Sequence, residues 1–529
     1  MSLSPHIFSH LYTAKPYLKI EEITIWAEKI GKNPIFLEKE QTTETPEFHG
    51  YILPSSLAQH DQKTQLIEIV QTCPTLSLQT LQVESEQKER HDIFLVRDAK
   101  GICGWCDRIS LSQKFAPKAL PKNWNQELGT FLHWIHRIAE TADEVGCRVS
   151  LVGGAVRDIL YKKQVKDLDF LVQGSVFSLV DALVKKYQGM CTKEPLFEAA
   201  HWSTPDRCTF DFTIARREWY PQPAQLPQTQ HGTLRDDIMR RDFSINALVI
   251  NLKADGSAYL IDAVNGIADL QKGELRVLHP QSFSDDPTRI FRAARYASRY
   301  NISLERNSLS YLQKVLEDGT LQKLSTSRLG KELQRIFEEA DPSQCWKKLR
   351  TWKVISYLFP ATDIDISDVQ QAWITLEQQQ LLPSATSFSK LCWLHLAHHL
   401  SSAPKWLPLM SGIKGGKKLW TEIASDLGFR KQALNEQTSY AEWGETLYRL
   451  SPEAIIYLYL WHPKAVVWWL KTGQSLVIHI NGSDLIQAGC PQGPLIRKAL
   501  LAAQRSAWLG ENTQTQLQKA KLVWTETSQ

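Results

Sequence analysis

One short stretch constrains this chain more than any other: Leu151-Val152-Gly153-Gly154-Ala155-Val156-Arg157-Asp158, followed by Lys166-Asp167-Leu168-Asp169-Phe170. The apolar run Arg148–Val152 reads as a buried strand that ends at two glycines and passes into a helix. Adjacent glycines let backbone amides approach a ligand closely, and bare amides at a helix start favour anions. A triphosphate fits such a seat, and Arg157 adds a charged fork. Asp167 and Asp169 stand two apart on the next strand, so both carboxylates point to one face. Hard oxygen donors with room for water and phosphate oxygens make a Mg²⁺ site, and two ions could be bridged there. A Gly-Gly turn alone is commonplace, as is a solvated D-x-D strand edge; the two in this order are far more specific. The G-x-G-x-x-G spacing is missing, which argues against a dinucleotide site.

The rest of the composition sets bounds. A chain of 529 residues predicts roughly three or four domains of ~100–200 residues. With 43% hydrophobic residues, 18 Trp, 15 Tyr and 18 Phe, wholesale disorder is excluded. Lys+Arg number 61 against 57 Asp+Glu, a net charge of +4 that permits nucleic-acid contact without demanding it. Nine cysteines are too dilute and uneven for a disulfide framework and read as reduced thiols. Cys103 and Cys106 form a C-x-x-C read as ordinary buried thiols, with redox or metal work as the alternative. The sequence begins without a basic region and apolar run, and no stretch reaches ~18 apolar residues, so a cytosolic protein with no membrane contact is expected.

Along the chain, residues 1–113 alternate short β-type runs with polar helix-like ones, an accessory α/β domain. Phe48–Leu53 and Ile102–Cys106 each set a Gly among apolar residues, and together they resemble a pair of CBS-type β-α units. Residues 114–122, rich in Lys and Pro, form a linker. Strands are expected at Arg148–Val152, Asp169–Val172, Cys208–Thr213 and Ala247–Asn251, within a compact α/β head spanning 123–284. Beyond about residue 285 the pattern is helical: a neck over 285–345 and a body and tail over 346–529.

The glycine turn and D-x-D resemble the signature of class II nucleotidyltransferases, the family of tRNA CCA-adding enzymes and bacterial poly(A) polymerases. More of its elements follow in order. Arg216-Arg217-Glu218-Trp219-Tyr220 is similar to its R-x-E-x-Y, and the Pro/Gln-rich stretch to Gly232 stands where it has a mobile loop. Arg240-Arg241-Asp242-Phe243-Ser244-Ile245-Asn246 resembles its ribose-contacting motif, with Ser244 where Thr is common. Asp262–Gly266 and Asp285-Asp286-Pro287-Thr288-Arg289-Ile290-Phe291-Arg292 resemble the next motif and the base-selecting helix, Asp285 replacing the usual Glu.

The resemblance implies a mixed-sheet head followed by an all-α body and tail. It implies Asp167 and Asp169 as catalytic ligands of two Mg²⁺ ions, with Asp211 a candidate third carboxylate and a strand-edge residue the equal alternative. Gly153, Gly154, Arg157 and Arg292 would bind triphosphate, and Arg241, Asp242 and Asn246 the ribose. Asp286 and Arg289, three apart and so expected on one helical face, would select the base by imitating a Watson–Crick edge. Arg276, Arg289, Arg292, Arg295 and Arg299 crowd one region as local base for a triphosphate and an RNA end.

Further on, the Ser/Thr cluster Ser325-Thr326-Ser327 stands ahead of an apolar-periodic helix and offers its N-cap. Ile480–Ile486, Gly489 and Gly493–Ile496 resemble a tail motif of long CCA-adding enzymes, with Arg497 and Lys498 placed to contact RNA phosphates. Trp461–Leu470 reads as core.

The expected activity is template-independent addition of CMP, AMP or both to tRNA 3′ ends from CTP and ATP, with no DNA partner. A CC-adding or A-adding specialist, a poly(A) polymerase and an inactive RNA-binding protein are the alternatives.

Overall fold

The computed structural model describes residues 118–232, 234–360, 363–400, 409–429 and 439–525, with isolated segments of the first 117. In that N-terminal region β1 (Tyr12–Ala14), β2 (Ile35–Glu38) and β3 (Phe48–Ile52) form one sheet. β4 (Thr75–Ser77), β5 (Ile93–Asp98) and β6 (Gly101–Asp107) form another. Both sheets share one topology, a parallel pair followed by an antiparallel pair. The rest of the CBS-like reading falls outside the described residues, as do the side chains of Cys103 and Cys106 on β6. Of the expected linker 114–122, residues 118–122 are described, and Lys118 bridges Leu260.

By contacts the chain divides into two units, residues 1–286 with 302–311, and residues 287–301 with 312–529. The expected neck over 285–345 is therefore split. A short parallel pairing of Glu274–Leu275 with Ser303–Leu304 returns residues 302–311 to the first unit, where Val277 N–H donates to Ser308 Oγ.

The head is a seven-stranded mixed sheet. Its strands are β7 (Arg148–Val152), β8 (Leu168–Gln173), β9 (Met190–Glu194), β10 (Ala199–Ser203), β11 (Thr209–Ile214), β14 (Val249–Leu252) and β15 (Ala258–Ile261), in the order β15-β14-β7-β8-β11-β10-β9. A separate hairpin joins β12 (Arg216–Trp219) to β13 (Gln228–His231). Only β8 and β11 of the large sheet run parallel.

Alternation along the strands decides which face is core. Phe170, Phe210, Phe212 and Trp202 are fully buried on one face, with Phe170 and Phe212 stacked at 5.2 Å. Helices Leu132–Glu144 and Val176–Tyr187 cover that face with Ile138, Leu179 and Leu183. The opposite face carries a smaller cluster including Val152, Leu171, Ile238 and Val249. Asp169 alternates with Phe170, so the fold sends it to this thinner side.

The second unit is helical. Phe337 packs against Trp346 and Trp393 at 5.8 and 5.1 Å between rings. Ser325 caps helix Thr326–Phe337, its side chain accepting from Arg328 N–H, which places the cap where the Ser/Thr cluster suggests. In Trp461–Leu470 the core reading holds for Val466, Trp469 and Leu470, whereas Trp461 is 47% exposed and stacks on His398. Among the described residues no helix is long and apolar enough to cross a membrane.

Candidate active site

Gly153 sits between β7 and the short helix Gly154–Leu160 at φ 71°, a left-handed conformation that glycine adopts without strain. A Cβ built there would lie 3.2 Å from Arg241 Nη1 and 3.6 Å from Asp169 Oδ2. Three separated elements of the sequence thus meet at one glycine: the turn, the D-x-D strand and the Arg-Arg-Asp motif. A side chain at residue 153 would fill the space they surround.

Asp167 precedes β8 and Asp169 lies within it; both are exposed while Leu168 and Phe170 are buried. The parallel register sets Asp211 directly beside Asp169, and His201 Nδ1 lies 2.7 Å from Asp211 Oδ1. Although part of Asp169 stays open to solvent, desolvation of its carboxyl by the surrounding protein, then the charges of Asp211 and Asp167, push that group up from its ordinary range, with Arg241 opposing them. Carboxylates gathered against their own repulsion, all hard oxygen donors, suit a divalent cation whose shell water and phosphate oxygens complete. Among the described residues no group of three or more His, Cys, Asp or Glu side chains is placed to hold a metal ion.

Arg241 is held from beneath by Asp237, a residue the sequence reading did not single out. Asp237 is fully buried in helix Leu234–Met239. Its Oδ2 accepts from Arg241 Nη2 at 2.6 Å and Nε at 3.1 Å; its Oδ1 accepts from Arg240 Nη2 at 2.6 Å and Nε at 2.9 Å. Burial pushes this carboxyl up, but the two guanidiniums outweigh it and hold it below the usual range. Arg240 Nη1 also reaches Glu218 of the β12–β13 hairpin at 3.0 Å. The signal was present in the sequence: an acid three and four residues ahead of two arginines.

The other motif residues form a buried chain. Arg157 is 4% exposed and donates to Asn246 Oδ1 at 2.6 Å and Asp158 Oδ1 at 3.1 Å. Asn246 in turn donates to Asp242 Oδ1 at 2.9 Å. The guanidinium expected to meet triphosphate thus links the glycine turn to the Arg-Arg-Asp segment in this structure. Asp262, 2% exposed, accepts from Gly266 N–H at 2.6 Å and from Lys118 at 3.2 Å, fixing the start of helix Gly266–Lys272. A Cβ at Gly266 would stand 2.3 Å from the Ser244 carbonyl oxygen, which explains glycine there.

Two expectations about the basic region change. Asp286 is not helical: it lies in extended backbone (φ −135°, ψ 93°) after helix Ser282–Asp285, and the next helix starts at Thr288. Pro287 enforces this, since the residue before a proline is driven out of helical backbone. Spacing on one helical face therefore does not relate Asp286 to Arg289. The arginines are also largely compensated. Arg276 pairs with Asp269 at 2.7 Å, Arg295 and Arg299 with Glu339, and Arg292 donates to the Tyr296 hydroxyl at 3.1 Å. Arg289 is 5% exposed. In the tail, Asn481 and Asp484 form a capping box on helix Gly482–Gln487. Arg497 and Lys498 are exposed near the start of helix Pro494–Trp508.

Residues 149–276 match the family model described as the poly A polymerase head domain, and residues 301–365 the one described as a probable RNA and SrmB-binding site of polymerase A. The chain is 37% identical over 238 residues to the CC-adding tRNA nucleotidyltransferase of Deinococcus radiodurans, covering 45% of this chain and 62% of that protein. It is 36% identical over 208 residues to the A-adding tRNA nucleotidyltransferase of Aquifex aeolicus, covering 39% of this chain and 25% of that one. The chain thus spans less than two thirds of either relative. A solved CCA-adding enzyme in an apo form aligns with TM-score 0.65 and 25% identity, covering 77% of this chain and 96% of that one.

Proposed function

We propose that this chain is a member of the nucleotidyltransferase family of tRNA CCA-adding enzymes and poly(A) polymerases and adds CMP, AMP or both to the 3′ end of tRNA without a template. The observation that carries this is the meeting of Gly153, Asp169 and Arg241 around one space, with Asp211 in register beside Asp169.

In the reaction the terminal 3′-hydroxyl oxygen of tRNA bonds to the α-phosphorus of CTP or ATP. The bond from that phosphorus to the bridging oxygen breaks, and pyrophosphate leaves in line. Asp167 and Asp169, with Asp211 adjacent, would hold two Mg²⁺ ions, whose chemistry is to neutralise the triphosphate and lower the pKa of the attacking hydroxyl. The chain's own groups orient and exclude. Gly153 and Gly154 admit phosphate close to the backbone, and Gly153 keeps Arg241 Nη1 and Asp169 accessible to one ligand. The Arg157–Asn246–Asp242 chain fixes the ribose-contacting segment against the glycine turn. No side chain is needed as a nucleophile. Arg292 is assigned to phosphate, Asp286 and Arg289 to the base, and the exposed Arg497 and Lys498 to the RNA backbone, where positioning carries no sequence information.

The names of the two relatives favour a second reading, a specialist that adds only CC or only A. One assay separates the readings: tRNA lacking CCA, tRNA ending in C and tRNA ending in CC, each offered CTP or ATP separately. Discrete addition of up to three nucleotides supports the family reading, and its pattern identifies a specialist. A long homopolymer on any RNA identifies a poly(A) polymerase, and no pyrophosphate release with any substrate sinks the proposal.

A further inference from the structure

We infer that Asp237 is the positioning residue of this site, the buried carboxylate that aims Arg241 into the nucleotide cradle while tying Arg240 to the hairpin. The inference rests on the reading above and deepens it. Asp237 is far from neutral packing: it is fully buried and ionised, a state tolerated only where strong partners offset desolvation. Its two oxygens divide the work. Oδ2 takes Nε and Nη2 of Arg241, which turns Nη1 toward Gly153 and, at 3.5 Å, the Asn246 carbonyl. Oδ1 takes the same pair of nitrogens on Arg240, whose Nη1 reaches Glu218. A planar fork seated by two nitrogens has little freedom left, so the third points where the carboxylate sends it. One side chain thus sets the direction of a cationic donor beside Asp169 without touching the substrate itself.

An asparagine has one acceptor oxygen and one amide donor, so Asp237→Asn can seat one arginine and must present N–H to the other. In the full-length protein, kcat for nucleotide transfer to tRNA should fall on the order of a hundredfold, as expected for a donor misplaced by about 1 Å, with KM for tRNA unchanged. A purely structural role predicts that adding Arg240→Gln to this variant makes matters worse. The positioning role predicts rescue: the introduced glutamine offers an acceptor to the amide and frees the oxygen for Arg241. It should restore kcat to within about threefold of Arg240→Gln alone. A folded Asp237→Asn variant with kcat within about twofold of wild type overturns the inference, and so does a double variant no faster than Asp237→Asn. If Asp237→Asn does not fold, the double variant against Arg240→Gln decides. If neither folds, Arg241→Gln must lower kcat by the same order, and wild-type kcat in that variant overturns the inference. Wild-type protein is measured first: absence of transfer there defeats the proposed function, whereas an active wild type with an indifferent Asp237 defeats only this assignment.

Discussion

The head and the helix Thr288–Arg299 handle charge in opposite ways. On the head's open sheet face, Asp167, Asp169 and Asp211 crowd together, and like charge helps push the Asp169 carboxyl up. On the helix, by contrast, Arg295 and Arg299 share Glu339, and Arg292 lies 5.6 Å from the Tyr296 ring. Charge left in repulsion costs stability and persists where a ligand relieves it; charge matched by a partner mostly holds structure together. The contrast separates the acidic cluster, a candidate for chemistry, from basic residues whose number alone says little.

The largest expected effect is on the repelling side. Asp169→Asn should abolish nucleotide incorporation while tRNA still binds, and should leave the protein at least as thermostable, because it removes a like charge. Incorporation assays and a melting curve test both halves; retained incorporation would remove the metal assignment. On the compensated side the expectation reverses. Glu339→Gln, at a side chain 10% exposed, should cost about 1–3 kcal/mol by leaving two guanidiniums poorly paired. Urea unfolding measures this, and an unchanged midpoint would show that the helix does not depend on the pairing.

The smallest effect concerns pH and sets two acids of the same head against each other. Asp237 titrates below its ordinary value, so its contribution to stability is present above the unfolded pKa and is lost as pH falls through the lower folded one. The stability gap between wild type and Asp237→Asn should therefore close only below about pH 4. Asp169 is shifted the other way, so its ionisation penalises the fold at neutral pH, and Asp169→Asn should lose its stability advantage on acidification. A gap that stays constant down to low pH would refute either sign.

Much of this was legible in the chain. Glycine pairs, alternating strands and helix caps act through neighbours in sequence, so β7, β8 and the Ser325 cap could be read directly. Asp211 was legible as an acid on a strand, but its register beside Asp169 was not. Spacing misled at Asp286, where periodicity ran through a position that Pro287 removes from the helix. At Arg157 the charge was legible, but its partners Asn246 and Asp158 were not.

The sequence by itself determined the order of the elements and which residue types could carry phosphate and metal chemistry, because those follow from local geometry and side-chain chemistry. Only the tertiary structure decided which charges are spent inside and which face the cradle. That depends on partners that are not neighbours along the chain, such as Arg157 with Asn246, Arg240 with Glu218 and Asp211 with His201.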